Sequence, residues 1–134
     1  MSWRLQALLL TAALASLASG CGSGLSTKAT IAIHYSRFEP GAVTVPAGVP
    51  VTITLRNDDP IEHEWIVGTE QVHEAHRVGT EPVHTSRPTE VTVPALSTRV
   101  TTVTLDEPGE FAYICHLPGH EAYGMVGTLR VEEG

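Results

Sequence analysis

The stretch Val51-Thr52-Ile53-Thr54-Leu55-Arg56-Asn57 decides how this chain folds. Val51, Ile53 and Leu55 fall on one side of an extended backbone and Thr52, Thr54 and Arg56 on the other, because successive strand side chains point to opposite faces. Alternation of this kind in β-branched residues marks a strand with one face buried. The same period recurs outward from it. Ile31 and Ile33 share a face upstream, as do Val43 and Val45. Downstream, residues 64–67, 90–93, 99–105, 110–115 and 128–132 read as further strands. Turn-forming clusters separate the runs: Glu39-Pro40-Gly41, Pro46-Ala47-Gly48, Asn57-Asp58-Asp59-Pro60 and Glu107-Pro108-Gly109. About eight short strands, with no sustained helical period and no internal repeat, predict an all-β antiparallel sandwich or barrel.

Residues 68–88 break the rhythm. A connection this long is uncommon in a compact domain. Within it, Glu70-Gln71-Val72-His73-Glu74-Ala75-His76-Arg77 can form two turns of helix, so the segment is expected to be a flap inserted in the sandwich. The N-terminus is an address and not part of the fold. Arg4 precedes an apolar run over residues 5–15, too short to span a bilayer and matching the core of a secretory signal peptide. Small residues Ala18-Ser19-Gly20 then lead into Cys21. This resembles a bacterial lipobox, with Ala18 standing where Leu is usual, and implies lipidation of Cys21. The organisation expected is a signal peptide over 1–20, a lipidated Cys21 and flexible tether over 21–29, and one domain over 30–134.

The 134-residue chain carries 8 Lys+Arg against 15 Asp+Glu, a formal net charge of −7. That balance excludes a nucleic-acid partner, which needs a surplus of Lys and Arg to neutralise phosphates. It favours a partner that is basic at its docking face. Cys21 and Cys115 are the only cysteines, and Cys21 is committed to the anchor, so no intramolecular disulfide is expected.

The chemistry lies in Cys115-His116-Leu117-Pro118-Gly119-His120-Glu121-Ala122-Tyr123-Gly124-Met125. Cys115, His120 and Met125 place a thiolate, an imidazole and a thioether five residues apart in one loop. Sulfur ligands with imidazole select copper or zinc over hard cations. One thiolate, two imidazoles and a weak thioether suit copper that cycles between Cu(I) and Cu(II). The second imidazole must come from elsewhere. His63 is the best candidate, at the start of an expected strand just after a turn.

Cys-x4-His-x4-Met before a final strand, with an upstream His after Asn-x-Asp, is similar to the pattern of the cupredoxin (plastocyanin/azurin-like) blue copper proteins. Phe38-Glu39-Pro40, Val43-Thr44-Val45-Pro46-Ala47-Gly48, residues 51–59 and Gly124-Met125-Val126-Gly127-Thr128-Leu129-Arg130-Val131 extend the resemblance over most of the domain. The resemblance implies a Greek-key β-sandwich holding one type 1 copper. His63, Cys115 and His120 would be its equatorial ligands and Met125 its weak axial one. It also implies an electron carrier working with a redox protein outside the cytoplasm, here a lipid-anchored monomer. His120 would be the electron gate, flanked by Leu117, Pro118 and Tyr123. Copper storage, delivery or resistance is the competing reading. No enzyme is expected, because a catalytic copper protein would need further His ligands, and a Cys–His hydrolase an orienting third residue.

Three other expectations concern histidines. Strand alternation puts Cys115 and His116 on opposite faces, so His116 cannot join the same metal and reads as a surface histidine near it. His73, His76 and His84 in the flap read either as exposed loop histidines or as auxiliary metal ligands. His34 reads as structural, in the first strand.

Overall fold

In a computed structural model, residues 24–79 and 87–134 are described, so the signal peptide, Cys21 and His84 lie outside the described residues. The strands are β1 (Lys28–Ile33), β2 (Phe38–Glu39), β3 (Ala42–Pro46), β4 (Val51–Asn57), β5 (His63–Gly68), β6 (Glu90–Val93), β7 (Thr98–Val103), β8 (Gly109–Ile114) and β9 (Val126–Glu132), and the helix is α1 (Glu70–Arg77). They form two sheets, ordered β2-β1-β4-β7 and β3-β9-β8-β5-β6. The expected all-β sandwich is present. Its ninth strand is the two-residue β2, which pairs with the end of β1. The sheets are mixed, because β1 runs parallel to β4 and β3 parallel to β9 while the other pairings are antiparallel.

The alternation that predicted the strands also builds the core. Val51, Ile53 and Leu55 of β4 face Ile31 and Ile33 of β1 on the inner side, where they meet Trp65 and Val67 of β5, Tyr113 of β8, and Leu129 and Val131 of β9. Burying a Val, Leu or Ile side chain stabilises the fold by roughly 1.5–3 kcal/mol. Threonines Thr52 and Thr54, on the other face of β4, are only partly buried. Tyr113 lies directly across from Gly127 and donates its hydroxyl to the Pro40 carbonyl at 2.8 Å. A Cβ at Gly127 would stand 2.1 Å from the Tyr113 ring, so this position admits nothing larger than glycine.

The five-stranded sheet is also covered on its outer face. Ile66 and Ile114, opposite each other in register, are buried although they point away from the core. Here α1 packs back on the sheet. Val72 of α1 sits against Gly68 of β5, so closely that a Cβ there would meet it at 2.9 Å. His73 reaches the Ala112 carbonyl of β8 at 3.1 Å. Glu70 in the first turn of α1 and His76 and Arg77 in the last complement the helix dipole.

Candidate metal centre

His63 opens β5 and Cys115 follows β8, so the two adjacent antiparallel strands bring them to one end of the sandwich. The loop 115–125 returns over that end. Cys115 N–H donates to the Met125 carbonyl at 3.2 Å, and Met125 N–H donates to the His120 carbonyl at 3.0 Å. Gly119 and Gly124 turn the loop with φ of +84° and +89°, where a side chain would strain the backbone. Three donor atoms converge as a result. His63 Nδ1 and His120 Nδ1 are 3.2 Å apart, and Cys115 Sγ is 3.3 Å from His120 Nδ1. Among the described residues, His63, Cys115 and His120 form a group of ligating atoms that all lie within 4.8 Å of one another. Met125 is fully buried and tied to this loop through its own main chain.

Two of the donors, His63 and Cys115, are oriented from behind. His63 Nε2 faces Asp59 Oδ2 at 2.9 Å, and a carboxylate can only accept, so the proton sits on Nε2 and the Nδ1 lone pair faces the site. Asp59 is in turn fixed by the main-chain N–H groups of Tyr35 and Ser36, each at 2.7 Å. Burial alone would raise the Asp59 pKa, but these donors and His63 outweigh it and hold the carboxyl below its ordinary value. Asn57 braces the same turn. Its Nδ2 donates to the carbonyls of Ile61, Val93 and Pro94, and its Oδ1 accepts from Asp59 N–H. Cys115 Sγ accepts the Glu64 N–H at 3.3 Å. Burial pushes the Cys115 thiol up and the His63 imidazolium down, so metal binding here must displace the thiol proton but none from His63 Nδ1. Two imidazoles and a soft thiolate in a preset cluster are a donor set that fits copper.

This chain therefore has a β-sandwich with a His–Cys–His cluster at one end and a buried Met in the loop that closes it. A family model described as a cupredoxin-like domain matches residues 5–129. The chain belongs to the cupredoxin family. It is 31% identical over 117 residues to the copper-resistant cuproprotein CopI of Rubrivivax gelatinosus, covering 82% of this chain and 70% of that one. In fold, it resembles the reduced auracyanin of Roseiflexus castenholzii, with a TM-score of 0.68 at 24% identity over 81% of this cupredoxin and 99% of that chain. It also resembles auracyanin A, a blue copper protein of Chloroflexus aurantiacus, with a TM-score of 0.61 at 24% identity over 78% and 98% of the two chains.

All three histidine expectations need correction. His116 does point away from Cys115, as alternation requires, but it is not a surface residue. Its side chain is 6% exposed, with Nε2 3.0 Å from His73 Nδ1. Its pKa falls to about 4, chiefly through burial and then through His73. His73 and His76 are not exposed loop histidines either. His73 is fully buried and His76 nearly so, because α1 lies flat on the sheet instead of projecting into solvent. His34, expected as a structural residue of the first strand, instead lies just past β1, exposed and stacked on Tyr35. Sequence reading used Asn57 and Asp59 only as turn residues and as the Asn-x-Asp before His63, with no role at the site.

Proposed function

We propose that this cupredoxin is an electron carrier, holding one type 1 copper through His63 Nδ1, His120 Nδ1, Cys115 Sγ and, weakly, Met125. The observation that carries the reading is the convergence of three donor atoms at one end of the sandwich. When bound, copper supplies one-electron chemistry between Cu(I) and Cu(II). The chain's part is to keep the donors still. Asp59 prevents His63 from rotating, the Glu64 N–H steers the Cys115 sulfur, and the core around Met125 holds the loop in place. Among the three closely grouped donors, His120 is only partly buried while His63 and Cys115 are fully so. It is therefore the route for electrons, with Leu117, Pro118 and the 74% exposed Tyr123 as the docking patch.

In this reading the chain is a carrier and not an enzyme, and it works outside the cytoplasm as a monomer held to a membrane by lipid on Cys21. Among the described residues, no helix is long and apolar enough to cross a membrane. The excess of acidic residues suits a redox partner with a basic docking face. A second reading, copper storage, delivery or resistance, is favoured by one observation: the relative at 31% identity is a copper-resistant cuproprotein.

Repeated chemical reduction and reoxidation of the copper-loaded chain separates the two. A carrier takes up and releases one electron per copper in every cycle and keeps its metal. Transfer of the copper to a competing Cu(I) chelator on the timescale of a single cycle would identify a handling protein.

A further inference from the structure

The turn between β1 and β2 is built against its own sequence. His34 N–H donates to the Arg37 carbonyl at 3.0 Å and Arg37 N–H to the His34 carbonyl at 3.1 Å, so Tyr35 and Ser36 alone make the turn. Both have positive φ, +51° and +53°. A two-residue hairpin of this kind favours Asn-Gly, because other side chains are strained there. One group holds the strain. Asp59 Oδ1 and Oδ2 accept the N–H groups of Tyr35 and Ser36 at 2.7 Å each, and the same carboxylate faces His63. A strained, exposed turn fastened to a candidate metal ligand points to a use at that end of the molecule.

We propose that Arg37 of this hairpin is a specificity-determining residue for docking and binds a side-chain carboxylate on the redox partner. The proposal rests on the electron-carrier reading and deepens it by naming the contact.

Arg37 is exposed, and its guanidinium reaches across to the 115–125 loop, where a Cβ at Gly124 would stand 3.0 Å from Nη1. Gly124 lies between Tyr123 and Met125, so the cation sits beside the docking patch. Arg56, Arg77, Arg87 and Arg130 are each paired with a carboxylate, whereas Arg37 has no such partner among the described residues. Its guanidinium is a planar fork of donors that matches a carboxylate. Tyr35 and Tyr123, 82% and 74% exposed, supply aromatic surface, and Tyr35 is held by stacking on His34 with ring centroids 3.9 Å apart. Tyr and Arg are the residue types enriched where protein interfaces concentrate their binding energy. The chain's acidic excess acts at long range and draws in a partner that is basic overall. Arg37 acts at contact, and fixes the register by requiring one acid within that face.

The test replaces the partner by small complexes that present carboxylate oxygens. Tris(oxalato)chromate(III), a paramagnetic and inert trianion, is added at low salt to the full chain, copper-free and in parallel loaded with Cu(I). It should broaden the NMR amide resonances of residues 34–37 and 123–124, and Arg37→Gln should abolish the effect. The Cu(I)-loaded chain is then oxidised by tris(oxalato)cobaltate(III) and separately by the cation tris(phenanthroline)cobalt(III). In each case one electron passes from Cu(I) to Co(III), leaving Cu(II) and Co(II). The ratio of the anionic to the cationic rate cancels any change in reduction potential. It should fall roughly tenfold in Arg37→Gln at low ionic strength, and further in Arg37→Glu. An unchanged ratio, broadening centred elsewhere, or broadening retained in Arg37→Gln would each overturn the proposal. Far-UV circular dichroism of both variants should match the wild type, and the broadening pattern of the unmutated chain decides the matter even where a variant fails to fold. A chain that shows no thiolate band with copper, or that neither cobalt complex oxidises, would fail as an electron carrier, while the chromate measurement still reports whether Arg37 binds carboxylate.

Discussion

At Asp59 a single carboxylate serves three donors, the main-chain N–H groups of Tyr35 and Ser36 and the Nε2–H of His63. It ties the β1–β2 turn to the metal cluster and makes His63 a stronger donor. Replacing an anionic partner behind a metal-bound histidine typically costs 10–100-fold in metal affinity. Asp59→Asn should therefore weaken Cu(II) binding by roughly that factor. The loss falls mainly on the more highly charged oxidised state, so the reduction potential should rise, which voltammetry of the copper-loaded variant would read. An unchanged or lower potential would mean that the carboxylate does not act through His63. Sequence made Cys115, His120 and Met125 legible because one loop sets their spacing, and His63 through its place just after a turn and the family resemblance. Asp59 was not legible. Its importance comes from a contact with residues 23 and 24 positions away, and a polar residue in a turn carries no mark of such a partner.

The elements tell a similar story at larger reach. Period-two alternation exposed the strands because each buries one face, and the core of Ile31, Ile53, Leu55, Tyr113 and Leu129 is the one that pattern implies. What it could not give was the pairing order, since β1 beside β4 and β3 beside β9 are parallel neighbours joined through the other sheet. Nor could it seat α1, whose polar sequence suggested solvent while its histidines were packing on β8 and the loop. Two predictions belong here. Gly127→Ala should displace the Tyr113 ring and its bond to Pro40, destabilising the domain by about 1–3 kcal/mol in a denaturant titration. The second concerns pH. His73 and His116 are buried with pKa values below the usual 6.5, His116 at about 4. The unfolded chain binds these protons first, so the stability they contribute is present above about pH 6.5 and is lost as pH falls towards 4. The metal-free chain should lose on the order of 2–3 kcal/mol over that window. A denaturation midpoint that stays level from pH 7 to 4.5 would contradict this account of the α1 interface.

For the molecule as a whole, the sandwich serves as a rigid mount. One end holds the donors, the core between the sheets keeps them from moving, and α1 covers part of the outer face of the five-stranded sheet. The family assignment and the gathering of His63, Cys115 and His120 rest on fold, sequence and geometry together. The central claim is that these residues bind a single copper through a thiolate. The most direct measurement is the visible and EPR spectrum of the full chain after addition of one equivalent of Cu(II), compared with that of Cys115→Ser. The wild type should show an intense thiolate-to-copper band that is bleached reversibly by one electron per copper. Cys115→Ser should lack the band while keeping the far-UV circular dichroism of a folded β-sandwich, because the strands and not the thiol build the core. A wild-type chain that shows no such band, or a serine variant that retains it, would contradict the account.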